Sequence, residues 1–158
     1  MGAGKRLLTH VQLVGEAADS LITCYEGLGI LFDAQLLELG VAIHDAGKIL
    51  HPQELDAPGS LHEPAGETLL LAHGVQNEIA RCCVSHAAWH QNDLRFEELS
   101  IALADKLWKG KREEALELKI IDAIAQQLGK SRWDVFAQLD TAFEEIAAGG
   151  NERLSRSR

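Results

Sequence analysis

KRLLTHVQLVGEAADSLITCYEG, residues 5–27, decides the fold class. Leu7, Leu8, Val11, Val14, Ala18, Leu21 and Ile22 recur at three- and four-residue spacing, the period of one buried face of an α-helix. Gly27 and Gly29 then punctuate the chain. The same period returns downstream. Asp33 is placed to cap a second helix through Leu36, Leu37, Val41 and Ile43 to Gly47. Residues 48–61 hold Pro52, Pro58 and Gly59 and read as a loop. A third helix is predicted from His62 to Gly74, with Pro64 in its first turn. Further helices are predicted over 76–89, 96–109 and 111–128. The last begins at Ser131 with Asp134 three residues on, a variant capping box, and carries the stripe Trp133, Phe136, Leu139, Phe143 and Ile146. No strand pattern competes. The expectation is an all-α, single-domain bundle of about seven helices over residues 1–148, with 149–158 as a flexible tail.

Composition narrows the classes. The 158 residues hold 15 Lys and Arg against 24 Asp and Glu, a formal charge of −9 with His neutral. At 46% hydrophobic and 25% charged, the chain has the make-up of a globular protein with one core. The acidic balance argues against a dedicated nucleic-acid binder, which needs a basic stripe to replace counterions. No run approaches the ~20 apolar residues that cross a bilayer, so no membrane role is expected. The N-terminal residues lack the apolar run of a secretory signal. Cys24, Cys82 and Cys83 show no Cys-x-x-Cys spacing and read as reduced, buried thiols of a cytoplasmic protein. Between residues 7 and 80, Lys48 is the one basic residue against eleven acidic ones, so it calls for an explanation. Lys106, Lys109, Lys111 and Arg112 form a later basic cluster.

The chemistry-bearing residues are His10, His44-Asp45, His62, His86 and Asp105. Each falls on a different predicted helix or helix end. Imidazole nitrogen and carboxylate oxygen suit borderline and hard divalent metals, and ligands on facing helices can converge inside a bundle. Helical spacing turns His10 inward beside Leu13, Val14 and Ala17, and Asp105 inward beside Ile101 and Ala102. A buried Asp is costly unless paired or metal-bound. Taken singly, each has a plainer reading. An inward histidine can be a hydrogen-bonded core residue, Asp105 could pair with Lys106 or Lys109, and Lys48 could be a surface lysine near a helix C-terminus.

Taken together, these positions resemble the signature of the HD-domain superfamily of metal-dependent phosphohydrolases. HDAGK (44–48) resembles the more specific form of that motif, and HEPAGE (62–67), SHAAWH (85–90) and LADKLWKG (103–110) resemble the flanking motifs of its two-metal members. The likeness covers residues 7–110, leaving 111–148 as a helical extension. It implies that His10, His44, Asp45 and Asp105 hold one divalent metal, and that Asp45 bridges to a second held by His62 and His86. Mn, Fe, Co, Ni or Mg would suit. Two such ions roughly 3.5–4 Å apart activate water and clamp a phosphate oxygen. Lys48 would neutralise charge developing on a non-bridging oxygen. The expected function is hydrolysis of a phosphoester or phosphoanhydride of a small molecule, with a nucleotide or dinucleotide as the favoured class. Asp45 and Lys48 would be catalytic.

Around this set, Lys48, His51, His90 and Lys109 are candidate substrate contacts; Lys109, Lys111 and Arg112 could receive a phosphate tail, with a solvated basic face as the plainer reading of the three. Glu63 and Glu67 are placed to orient ligand histidines. Two other chemistries stand on the same frame: a mixed-valence di-iron HD-type oxygenase, and a non-catalytic HD-fold binding or regulatory protein. The stripe of the last helix either packs on the bundle or forms a homodimer surface, the latter if Trp133 and Phe143 are exposed together.

Overall fold

The computed structural model describes residues 2–158, and among them there is no strand. In chain order the helices are α1 (Lys5–Leu28), α2 (Ala34–Ile43), α3 (His62–Ala72), α4 (Asn77–Ala80), α5 (Cys82–Ser85), α6 (Phe96–Leu107), α7 (Glu114–Leu128), α8 (Arg132–Ala148) and α9 (Gly150–Arg156), with 3-10 turns at Ala46–Ile49 and Pro52–Leu55. α4 and α5 are successive turns around Arg81, and α9 follows α8 directly after Gly149. The segments therefore group as the seven helices of an all-α fold.

The ends form where local chemistry directs. α1 stops at Gly29, whose φ of 72° suits a residue without Cβ. The Asp33 carboxylate accepts the Leu36 N–H at 3.0 Å and opens α2. Asp134 accepts both the N–H and the hydroxyl of Ser131 at 2.9 Å, closing the box at the start of α8. Leu13, Val14, Ala17, Leu21 and Tyr25 of α1 are buried in one cluster with Leu37 and Val41 of α2 and with Ile101 and Leu103 of α6. Gly40 permits the α2–α6 approach, since a Cβ there would stand 2.2 Å from Ile101 Cδ1. Ile120, Ile121 and Ile124 of α7 and Leu139 and Phe143 of α8 complete the same cluster. The extension is thus part of the core. Phe143 is buried while Trp133 is 72% exposed, so the stripe packs on the bundle and begins later than its sequence suggests.

Two expectations are corrected. The helix predicted over 76–89 is broken at Arg81, where Val84 N–H bonds to Arg81 O at 3.0 Å in a tightened turn, and it ends at His86. The predicted tail is helix α9. Its Arg153 is buried and donates to Trp108 O at 3.1 Å and Ile146 O at 2.9 Å, while Arg156 pairs with Glu16. Gly149-Gly150, which reads as a stop, is a close crossing: a Cβ at Gly150 would lie 2.3 Å from Gly110 N.

A second close approach positions the site. After α2 the chain turns at Asp45 (φ −108°, ψ 18°) into the Ala46–Ile49 turn, which lies on the start of α3. A Cβ at Gly47 would stand 1.8 Å from His62 O, and one at Gly66 would stand 2.8 Å from Gly47 N and 3.0 Å from Cys83 Sγ. The Cys83 thiol donates to Ile43 O at 3.2 Å. The segments carrying His44-Asp45, His62 and His86 therefore meet almost backbone to backbone. Gly47→Ala should destabilise the fold by roughly 2 kcal/mol or more. Urea unfolding checks this, and a loss under about 0.5 kcal/mol would contradict the close approach.

Candidate metal centre

Six side chains from five segments converge. The ligand atoms of His10, His44, Asp45 and Asp105 all lie within 4.8 Å of one another, as do those of Asp45, His62 and His86. Either group could hold a metal ion, and Asp45 belongs to both. Its two oxygens divide between them. Oδ2 faces His10 Nε2 at 2.8 Å and His44 Nε2 at 3.5 Å, while Oδ1 faces His62 Nε2 at 3.3 Å and His86 Nε2 at 3.6 Å. Asp105 Oδ1 lies 3.4 Å from His44 Nε2 and 3.9 Å from His10 Nε2. It makes no ion pair with Lys106 or Lys109.

The rings are aimed by their outer nitrogens. His44 Nδ1 bonds to Val41 O at 2.7 Å, His86 Nδ1 to Cys82 O at 3.0 Å, and His62 Nδ1 to Glu54 Oε2 at 2.5 Å. A carbonyl oxygen can only accept, so Nδ1 carries a proton in His44 and His86, which leaves Nε2 as the atom that can ligate once it is free of its own proton. This is the usual support of a metal-ligating histidine. His10 is held differently, by the ring of Trp108 set edge-on at 5.0 Å. The buried Nε2 atoms of His10 and His44 make no directed hydrogen bond to any protein group. Unpartnered buried nitrogens of this kind fit a cation among them, since they otherwise lose solvation without replacement.

The electrostatics point the same way. Burial alone would raise the Asp45 carboxyl, but the charge of His44 and the close rings of His10 and His62, with Lys48 beside it, hold it far below the usual carboxylate range. Burial opposes charging of His44, yet Asp45 and Asp105 push it up to about 9. Burial and the neighbouring His44 take His86 down to about 4. His62 is raised against burial by Asp45 and Glu54. A concentrated negative charge is thus balanced here by protons and one lysine, the arrangement a divalent ion can replace.

The centre opens into a cleft of about 250 Å³ lined by His10, Asp45, Lys48, His62, His86 and Asp105, together with Glu63, Ala87, Trp89, Lys106 and Lys109. Lys48 is no surface lysine. Its side chain is 14% exposed, and Nζ donates to Asp45 Oδ2 at 3.0 Å. Lys109 also reaches the cleft. His51 and His90 do not line it. His51 precedes the Pro52–Leu55 turn, and His90 is exposed with its ring edge-on to Trp89. Arg112 is tied to Glu117, Asp140 and Glu144, joining the start of α7 to α8.

The residue that orients a ligand is neither Glu63 nor Glu67 but Glu54. Its side chain is 6% exposed, and its carboxylate accepts from His62 Nδ1, from His62 N at 3.0 Å and from Leu61 N at 3.1 Å. Gly59 leaves the space, since a Cβ there would meet Glu54 Oε1 at 2.3 Å. Sequence reasoning missed Glu54 because it sits in the Pro- and Gly-containing loop, where no periodicity assigns a facing partner. Its one signal is an acidic residue between Pro52 and Pro58, eight positions before a candidate ligand.

No protein-family model, curated protein or solved structure matches the chain. The functional reading therefore rests on the side chains. Glu54→Gln should weaken a metal held by Asp45, His62 and His86 by ~10–100-fold and leave the His10 group unchanged. Cobalt titration followed by absorption spectroscopy and calorimetry checks this, and two unaltered binding steps would refute the orienting role.

Proposed function

We propose that this protein is a two-metal phosphohydrolase of the HD-domain type, acting on a small phosphorylated molecule. The observation that carries the reading is the division of Asp45, one oxygen toward each group of ligands. A carboxylate so placed is suited to bridging two cations. The resemblance of HDAGK, HEPAGE, SHAAWH and LADKLWKG to the motifs of that superfamily supports it independently of the geometry. In this reading His10, His44, Asp45 and Asp105 hold one ion, and Asp45, His62 and His86 the other. His and Asp ligands suit Mn, Fe, Co and Ni, and Mg with its preference for oxygen less well.

Two divalent cations in such a centre supply an acidified water and charge stabilisation for an in-line displacement at phosphorus. The chain's own residues do the rest. Asp45 would join the two ligand groups, and Asp105 would complete the first of them. The Nδ1 bonds of His44, His62 and His86 keep three rings from turning. Lys48 Nζ, beside Asp45 in a largely enclosed position, is placed to stabilise charge on a non-bridging phosphoryl oxygen. Among the described residues, the half-buried Trp89 is the one aromatic residue besides the histidines in the cleft wall, and Lys119 holds its segment by donating to Trp89 O at 3.0 Å and Gln91 O at 3.1 Å. An aromatic residue in the wall fits a nucleotide or dinucleotide among phosphorylated compounds.

Phosphate release from nucleotides and simple phosphoesters, with Mn, Fe, Co or Mg supplied, tests the reading alongside oxygen uptake. Release with at least one metal is expected. Asp45→Ala should abolish both release and tight metal binding, whereas Lys48→Ala should keep the metals and lose ~100-fold in turnover. Oxygen uptake without phosphate release, or a metal-loaded protein inert toward every phosphoester, would overturn it.

A further inference from the structure

The basic cluster at the end of α6 does not behave as one face. Arg112 is consumed by three carboxylates, and Lys111 points to solvent. Lys106 and Lys109, three residues apart, both line the cleft of the metal ligands, and among the described residues neither has a carboxylate partner within ion-pair distance. With Lys48 they make three lysines around one small opening in a chain of charge −9. The other carboxylates of that wall are Asp45 and Asp105, both committed to the ligand set, and Glu63. Two divalent ions in addition would leave the opening strongly positive. Like charges gathered at the mouth of a cleft, two of the three without a carboxylate partner, attract and orient anions.

The segment carrying these lysines is also held in place. Gly110 adopts φ 82°, its N–H bonds to Leu107 O at 3.0 Å, and Lys111 N–H bonds back to Lys106 O at 3.1 Å, closing α6 in a tight left-handed cap. The outer side of this turn is braced by the C-terminal helices. Gly150 packs on Gly110, and the buried Arg153 donates to Trp108 O at 3.1 Å. A solvated basic face needs no such support. A binding wall does, because its groups must be held before the ligand arrives.

We propose that Lys106 and Lys109 form a second anion subsite beside the metal ligands, so that the substrate carries a second phosphate besides the one under attack. This rests on the phosphohydrolase reading of the same centre and narrows its substrate class to bisphosphorylated or polyphosphorylated compounds. The extension formed by α7 to α9 gains a role in it. It holds the turn that presents the two lysines, with Arg153 as a positioning residue.

Calorimetric titration with adenosine monophosphate, adenosine diphosphate and adenosine 3′,5′-bisphosphate tests this, with the manganese-loaded and the metal-free protein run in parallel. The loaded protein should bind at least one two-phosphate nucleotide ~10–100-fold more tightly than the monophosphate, the range of a charge-assisted contact. In the doubly substituted Lys106→Ala, Lys109→Ala protein that ratio should fall to within about twofold, with two manganese ions still bound. The ratio, unlike overall affinity, does not move if the substitutions merely loosen the fold. Equal binding of all three nucleotides by the loaded wild type, or a preference that survives the double substitution, overturns the subsite. Failure of the parent reading looks different. No manganese would bind, while a two-phosphate preference in the metal-free protein that disappears with the lysines would still support the subsite.

Discussion

The Asp45 carboxylate is the constraint around which the fold is arranged. It has 3% of its side chain exposed, and four imidazoles and an ammonium group surround it. Burying such a group without partners would cost several kcal/mol. The partners come from α1, from the end of α2, from the first residue of α3 and from the residue after α5, so the charge can be matched only when all of these are packed. The small residues follow from that demand. Gly47 and Gly66 let the turn after α2 touch α3, and Cys83 fits the remaining space beneath them. Polar specificity and apolar packing thus serve one point in the molecule.

Orientation is a separate problem from proximity, and the chain solves it unevenly. His44 and His86 lean on carbonyls of their own helices, three and four residues back, so their aim is a by-product of helix geometry. His62 opens α3 and has no preceding turn to lean on. A loop carboxylate, Glu54, supplies the missing acceptor. His10 sits mid-helix on α1 and is steadied by Trp108, whose carbonyl is in turn held by Arg153 of α9. The C-terminal extension therefore reaches the centre through two contacts, although no residue of α7 to α9 lines the cleft.

Much of this was legible before any coordinates. Apolar spacing located the helices, because each buries a stripe in a single core. Of the six ligand positions, His10 and Asp105 stood out because an imidazole and a carboxylate on apolar faces need a reason to be there, and the other four came from the resemblance of their motifs. What escaped has physical causes as well. Glu54 acts across an irregular loop, where neither the 3.6-residue period nor a capping rule pairs it with His62. Gly149-Gly150 reads as the end of a helix, but a glycine pair can mark either a helix stop or a close crossing. Only the partner, Gly110, tells them apart. His51 and His90 lie near ligands in sequence yet face elsewhere, since a loop and a frayed helix end do not transmit direction. Trp133 belongs to the stripe by period alone, and its position in the first turn of α8 leaves it outside the packed layer.

The most direct measurement is crystallographic: the protein grown with manganese, with anomalous difference density examined around Asp45. Two peaks roughly 3.5–4 Å apart are expected, one beside Oδ2 among His10, His44 and Asp105, the other beside Oδ1 between His62 and His86. A single ion that leaves one Asp45 oxygen uncoordinated, or none at saturating manganese, would contradict a shared carboxylate at the heart of the molecule.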